Sequence, residues 1–194
     1  MSYYVMSTST DPFTSVRLRA EWRKTTTNFW GRSRVPLEDF VSLPFQVEVE
    51  LPKSGPIDLA AGFVSTACVF SDEMIEILRR VGVDNMDTYP TELYDTREGR
   101  SVVYRNYKMV RILNGIACLD KKKSVMVDLN DDTGLLKGGV DRMYVDERKA
   151  DGYLMFRPEP GIGAMLVHER VKKAIEAAGL HGLKFYDPAD WGGF

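Results

Sequence analysis

Histidine and cysteine are both scarce in this chain, at two residues each in 194. The shortage of histidine excludes a His-rich metal centre. His168-Glu169 opens like the helical motif of zinc proteases, but the position four residues on is Lys172, so the second ligand is missing. Cys68 and Cys118 sit in the apolar runs ACVF and IACL. They read as buried reduced thiols, because a small secreted scaffold would carry more cysteine. No apolar run reaches the roughly 18 residues that span a bilayer. The opening MSYYVMSTST has no basic region followed by an apolar stretch, so no secretory signal is expected. Excess charge is lacking too. Lys and Arg number 26 against 28 Asp and Glu, a formal net charge of −2, which argues neither for nucleic acid nor for a membrane surface as partner. The expectation is a cytoplasmic protein with no cofactor.

Motifs of enzymatic chemistry are also missing. Gly161-Ile-Gly163 precedes a helical pattern but lacks the third glycine of a dinucleotide-binding turn. There is no GxSxG elbow, and neither cysteine lies in an electropositive, glycine-flanked setting. Asp128-Leu-Asn130-Asp131-Asp132-Thr-Gly134 resembles a calcium loop in composition. Its sixth and twelfth positions, Thr133 and Gly139, are not the required glycine and glutamate, so it reads as a turn with solvated carboxylates.

What the chain does contain is a repeat. Residues 66–89 read TACVFSDEMIEILRRVGVDNMDTY, and residues 163–186, offset by 97, read GAMLVHERVKKAIEAAGLHGLKFY. Superposed, Gly82 falls on Gly179, Val83 on Leu180, Met86 on Leu183 and Tyr89 on Tyr186. Met74, Ile77, Leu78 and Val81 recur at i, i+3, i+4, i+7, as do Val171, Ala174, Ile175 and Ala178. Each set is one apolar helix face. Ser71 is expected to cap the first helix, His168 to stand in its place at the second as a poor substitute, and Gly82 and Gly179 to stop them. The unit is therefore strand–helix–strand, duplicated. Further strands are expected at Tyr3–Ser7, Phe45–Leu51, Glu92–Tyr94, Ser101–Leu113, Val125–Leu129 and Tyr153–Phe156, with a charged turn at Lys121–Lys123. The segment 138–151 has no clear pattern. Strands outnumber helices, so the expected fold is α+β, with an antiparallel or mixed sheet. With 44% apolar and 28% charged residues, a single domain over residues 1–194 is expected.

Candidate partner-binding residues are acidic or aromatic. Residues 84–98 carry Asp84, Asp87, Glu92, Asp95 and Glu98 against Arg97 alone, and residues 128–141 carry Asp128, Asp131, Asp132 and Asp141 against Lys137. Such stretches are usually solvated surface. On a protein that binds a nuclease they would mimic phosphates and steer encounter. Trp30, Tyr94, Tyr104 and Tyr107 are candidate aromatic anchors, with core packing as the competing role for each. The segment Arg17–Arg34 is basic and interleaved with Trp22, Phe29 and Trp30, but its arginines do not follow one helical face.

The closing segment FRPEPGIGAMLVHERVKKAIEAAGLHGLKFYDP resembles the C-terminal signature of a bacterial family of immunity proteins from polymorphic toxin systems. The matching elements are Phe156-Arg157, the apolar strand Ala164–Val167, the helix Glu169–Gly179 and the glycine–aromatic strand Gly182–Tyr186. Val69–Val83 and Tyr107–Ser124 resemble the family's earlier helix and central strand pair. The likeness covers residues 64–194 well and 1–63 poorly, which marks the N-terminal part as variable. His168 stands where the family usually has serine. The resemblance implies a non-enzymatic protein that binds and blocks a cognate toxin, often a nuclease, made by the same or a sibling cell. It transfers no binding residues, because such recognition surfaces vary with the partner. Two other readings stand beside it. One is a homo-oligomeric structural or regulatory module, such as a homodimer assembled through the repeat. The other is a small carboxylate-dependent enzyme whose site is not recognisable in the sequence.

Overall fold

A computed structural model describes residues 2–9, 15–18, 42–50, 59–64, 68–95, 102–113, 115–126, 140–159 and 163–192. In chain order its strands are β1 (Tyr3–Thr8), β2 (Ser15–Leu18), β3 (Phe45–Glu50), β4 (Gly62–Phe63), β5 (Cys68–Ser71), β6 (Met86–Asp95) and β7 (Val103–Tyr104). They continue with β8 (Tyr107–Ile112), β9 (Gly115–Ile116), β10 (Val125–Met126), β11 (Val140–Arg142), β12 (Met155–Pro158), β13 (Met165–His168) and β14 (Leu183–Tyr186). The described α-helices are α1 (Asp72–Val81), α2 (Glu147–Ala150) and α3 (Glu169–Ala177), and a 3-10 turn covers Pro188–Asp190. The fold is α+β. One sheet runs β2-β3-β6-β8-β5-β4 with β7 also on β6, a second runs β14-β1-β13-β12-β9, and β10 and β11 form a ribbon.

The duplication is legible down to single hydrogen bonds. Ser71 holds an extended conformation and its hydroxyl accepts from the Met74 N–H at 3.2 Å. At the matching place His168 is extended and its Nδ1 accepts from the Arg170 N–H at 3.1 Å, so histidine does serve as the cap. Gly82 (φ 101°) and Gly179 (φ 69°) both enter the left-handed region at the helix ends, where the lack of a Cβ removes the steric cost. The N–H of Gly82 donates to the Arg79 carbonyl and that of Val83 to Leu78; 97 residues on, Gly179 donates to Glu176 and Leu180 to Ile175.

Each unit is also split in the same way. In the larger sheet β8 lies between β5 and β6 and is antiparallel to both. In the other sheet β1 lies between β13 and β14, again antiparallel to both. The row Val69–Met109–Tyr89 thus corresponds to Leu166–Val5–Tyr186. Tyr107 opposite Ser71 corresponds to Tyr3 opposite His168. Both phenols are buried and donate to a carbonyl, Tyr107 to Ala60 at 3.1 Å and Tyr3 to Ala150 at 2.6 Å. Burial pushes the Tyr3 hydroxyl up to about 12, with the charges of Asp151 and Glu147 adding to it.

Alternation in the strands places three apolar clusters. The central one joins the two units: Met74, Leu78 and Val81 of α1 and Val171 and Ile175 of α3 meet Phe70, Val110 and Ile112 of one sheet and Met6, Met165 and Val167 of the other. Helices α1 and α3 pack against each other there. Burying each large apolar side chain contributes about 1.5–3 kcal/mol. The second cluster covers the other face of the larger sheet with Val47, Phe63, Tyr89, Leu93 and Met109. The third covers the other face of the second sheet with Tyr3, Val5, Cys118, Phe156 and Leu166. Both cysteines are free and buried, and burial raises the Cys118 thiol to about 11.

Candidate partner-binding surfaces

The acidic stretch after α1 becomes one long strand, and a strand sends alternate side chains to opposite faces. Tyr89 and Leu93 of β6 lie in the second apolar cluster, so Asp87 and Asp95 share that inner face. Asp87 is ion-paired to Arg111, whose Nε donates to its Oδ2 at 3.1 Å, and the Tyr89 hydroxyl donates to the same oxygen at 3.3 Å. Arg111 is itself buried, at 4% exposure. Asp95 is equally buried at 4% and accordingly offers no surface to a partner. Asp84 is exposed in the loop between α1 and β6.

Glu92 and Tyr94 point to the other face of β6, beyond the part that α1 covers. The Tyr94 hydroxyl donates to Glu92 Oε2, and Arg105 donates through Nε to Oε1 at 3.0 Å. These two hydrogen bonds, Tyr94's first, hold the Glu92 carboxyl below the ordinary glutamate range. Gln46 and Glu48 of β3 stand beside Glu92 and Tyr94 in the parallel register. Pro90 and Gln46 are exposed and the Arg105 side chain is 71% exposed. The result is an open, polar, mixed-charge sheet face.

The four described acids of this stretch, Asp84, Asp87, Glu92 and Asp95, therefore do not form one anionic patch. Asp84 is in a loop, Asp87 is neutralised on the inner face, Glu92 is neutralised on the outer face, and Asp95 is in the core. Trp30, Glu98, Asp128, Asp131 and Asp132 lie outside the described residues, as do most of the basic N-terminal stretch and the 128–134 turn. Of the other candidate anchors, Tyr107 is core and Tyr104 is half-buried against the second cluster. Among the described residues, no group of three or more His, Cys, Asp or Glu is placed to hold a metal ion.

A second surface was not among the expected sites. A groove of about 700 Å³ opens beside β9, walled by Leu119–Lys122 on one side and Asp146, Arg148 and Lys149 on the other. An isolated bridge pairs Leu119 with Val145. Around it, Asp120 N–H donates to the Tyr144 carbonyl and Asp146 N–H to that of Cys118, at 2.9 and 2.7 Å. Asp120 Oδ1 accepts from the Lys122 and Lys123 N–H groups, which folds the lysine run into the expected turn. Asp146 caps α2 by accepting from the Arg148 N–H. The Arg148 side chain pairs with it at 3.2 Å and keeps the Asp146 carboxyl low. The sequence signals were the Lys121–Lys123 run and the Glu147-Arg148-Lys149 triplet, which only the bridge brings together.

A model described as the immunity protein family Imm11 matches residues 16–190. No curated protein matches the chain. Among the described residues, no helix is long and apolar enough to cross a membrane.

Proposed function

The chain belongs to the immunity protein family Imm11, and from that premise we propose that it binds a cognate toxin protein in the cytoplasm of producing or sibling cells and neutralises it. The observation that carries this reading is the extent of the family match, from residue 16 to residue 190 of 194. It takes in both linear copies of the strand–helix–strand unit and the larger sheet from Val16 on, while β1 of the second sheet precedes the match. The action we propose is stoichiometric occlusion without catalysis: a rigid platform presents side chains to the toxin and buries a standard interface of roughly 1,600 Å² in total.

Two refinements follow from the geometry. The resemblance implies a toxin that is often a nuclease, and on a nuclease-binding protein the acidic stretches would mimic phosphates. The described carboxylates of 84–95 are scattered over two sheet faces and the core, so the toxin reading rests on the family and not on an anionic face. Self-assembly through the repeat was the other expectation. The apolar faces of α1 and α3 are consumed against each other inside the chain, which favours a foreign partner over a second copy.

The test is co-expression with the C-terminal domain encoded by the neighbouring large reading frame. Growth restored by this protein, together with a complex recovered on purification, is the expected result. Continued toxicity with no complex would sink the reading.

A further inference from the structure

We propose that the groove beside β9 receives an acidic segment of the bound toxin protein. Its charges are layered. The acids are inner: the side chains of Asp120 and Asp146 are 30% and 19% exposed, and their oxygens are engaged by backbone N–H groups and adjacent cations. The cations are outer: Arg148 and Lys149 of the lining are 92% and 54% exposed, and Lys123, next to the lining, is 70% exposed. Lys121 and Lys122 are exposed on the groove wall and have no ion pair among the described residues. Glu159, at the far wall, and Glu147, on α2, are both engaged in interactions of their own. What an incoming group meets first is therefore ammonium and guanidinium.

The scaffold under these cations is fixed before binding. The Leu119–Val145 bridge and the Asp120–Tyr144 and Cys118–Asp146 hydrogen bonds join the two walls. Ser124 adds a third tie, its hydroxyl accepting from the Tyr144 N–H at 3.0 Å. Leu119, Cys118 and Ala150 anchor both walls in the third apolar cluster. A preformed site loses less on binding than one that must be ordered. The groove lies between two chain segments whose outer side chains are cationic, which suits a protein segment bearing Asp or Glu side chains. Its cations sit at the rim, where charge governs the association rate and the salt dependence.

That the occupant is a segment of the toxin protein rests on the reading of the previous section; the preference for anionic side chains does not. The first measurement follows the amide chemical shifts of the full chain during titration with poly-L-glutamate. The expected shifts concentrate at residues 117–124 and 146–151. The variant K121E/K122E/R148E changes exposed side chains only, so it should keep the wild-type circular dichroism and bind at least about tenfold more weakly. K121Q/K122Q should lie between the two. Absent shifts, or shifts elsewhere, would overturn the site. An equal response to a DNA duplex of matched charge would overturn the commitment to polypeptide. The second measurement repeats the comparison with the toxin domain. An affinity at least about tenfold lower for the reversed variant supports docking there, and undiminished affinity overturns it. If the wild-type chain captures no toxin while poly-L-glutamate still maps to the groove, the immunity reading fails and the site stands.

Discussion

Gly179 and Gly182 both have positive φ, at 69° and 81°, yet their surroundings differ. No atom lies within 4 Å of a Cβ placed at Gly179, whereas one placed at Gly182 would overlap Ala60. Gly179→Ala should therefore cost only the left-handed strain, about 1 kcal/mol, and Gly182→Ala distinctly more, because Ala60 sits on backbone that Ala61 ties to the His181 carbonyl. Urea midpoints of the two variants check the order. Tyr94 and Glu92 give a pH-dependent case. The hydroxyl stabilises the ionised carboxylate and lowers its folded-state pKa. That contribution is present above the unfolded glutamate range and lost as pH falls through the lower folded value. Tyr94→Phe should consequently reduce stability at neutral pH, and the gap from wild type should close only below the ordinary glutamate range. A gap that stays constant into acid would contradict the assignment.

The helices show what each copy of the repeat owes to its cap. Ser71→Ala removes the hydroxyl that receives the Met74 N–H and should cost about 1 kcal/mol. His168→Ala removes the equivalent acceptor at α3 and should cost a similar amount if imidazole nitrogen caps as well as hydroxyl does. Thermal or denaturant unfolding of both variants compares them directly. These caps were legible in the sequence, because helix periodicity, the stop glycines and the offset of 97 all lie within short windows. The two middle strands were legible as strands, but their place inside the units was not. β8 follows its unit and β1 precedes the other by most of the chain, so no linear superposition reveals that Tyr107 and Tyr3 are equivalent. The described acids of β6 scatter for a related reason: Asp87, Glu92 and Asp95 look like one cluster in sequence, but the period of two puts Glu92 on the face opposite Asp87 and Asp95, and Asp95 is buried. The cationic groove escaped notice because Lys121 and Arg148 become neighbours only through the Leu119–Val145 bridge.

Both copies of the split unit turn their helices inward on one shared cluster, and the polar face of β6 and the groove beside β9 are two surfaces that described residues present to a partner. A body with its apolar helix faces spent inside is suited to inhibition by docking, and membership in the immunity protein family supplies the class of target. The most direct test mixes the purified chain with the toxin domain from the neighbouring reading frame and records the mass in solution by light scattering alongside the toxin's activity. The account predicts a discrete complex of one chain per toxin, with activity lost in proportion to complex formed. A toxin that stays fully active at saturating ratios, with the chain remaining separate or associating only with itself, would contradict it.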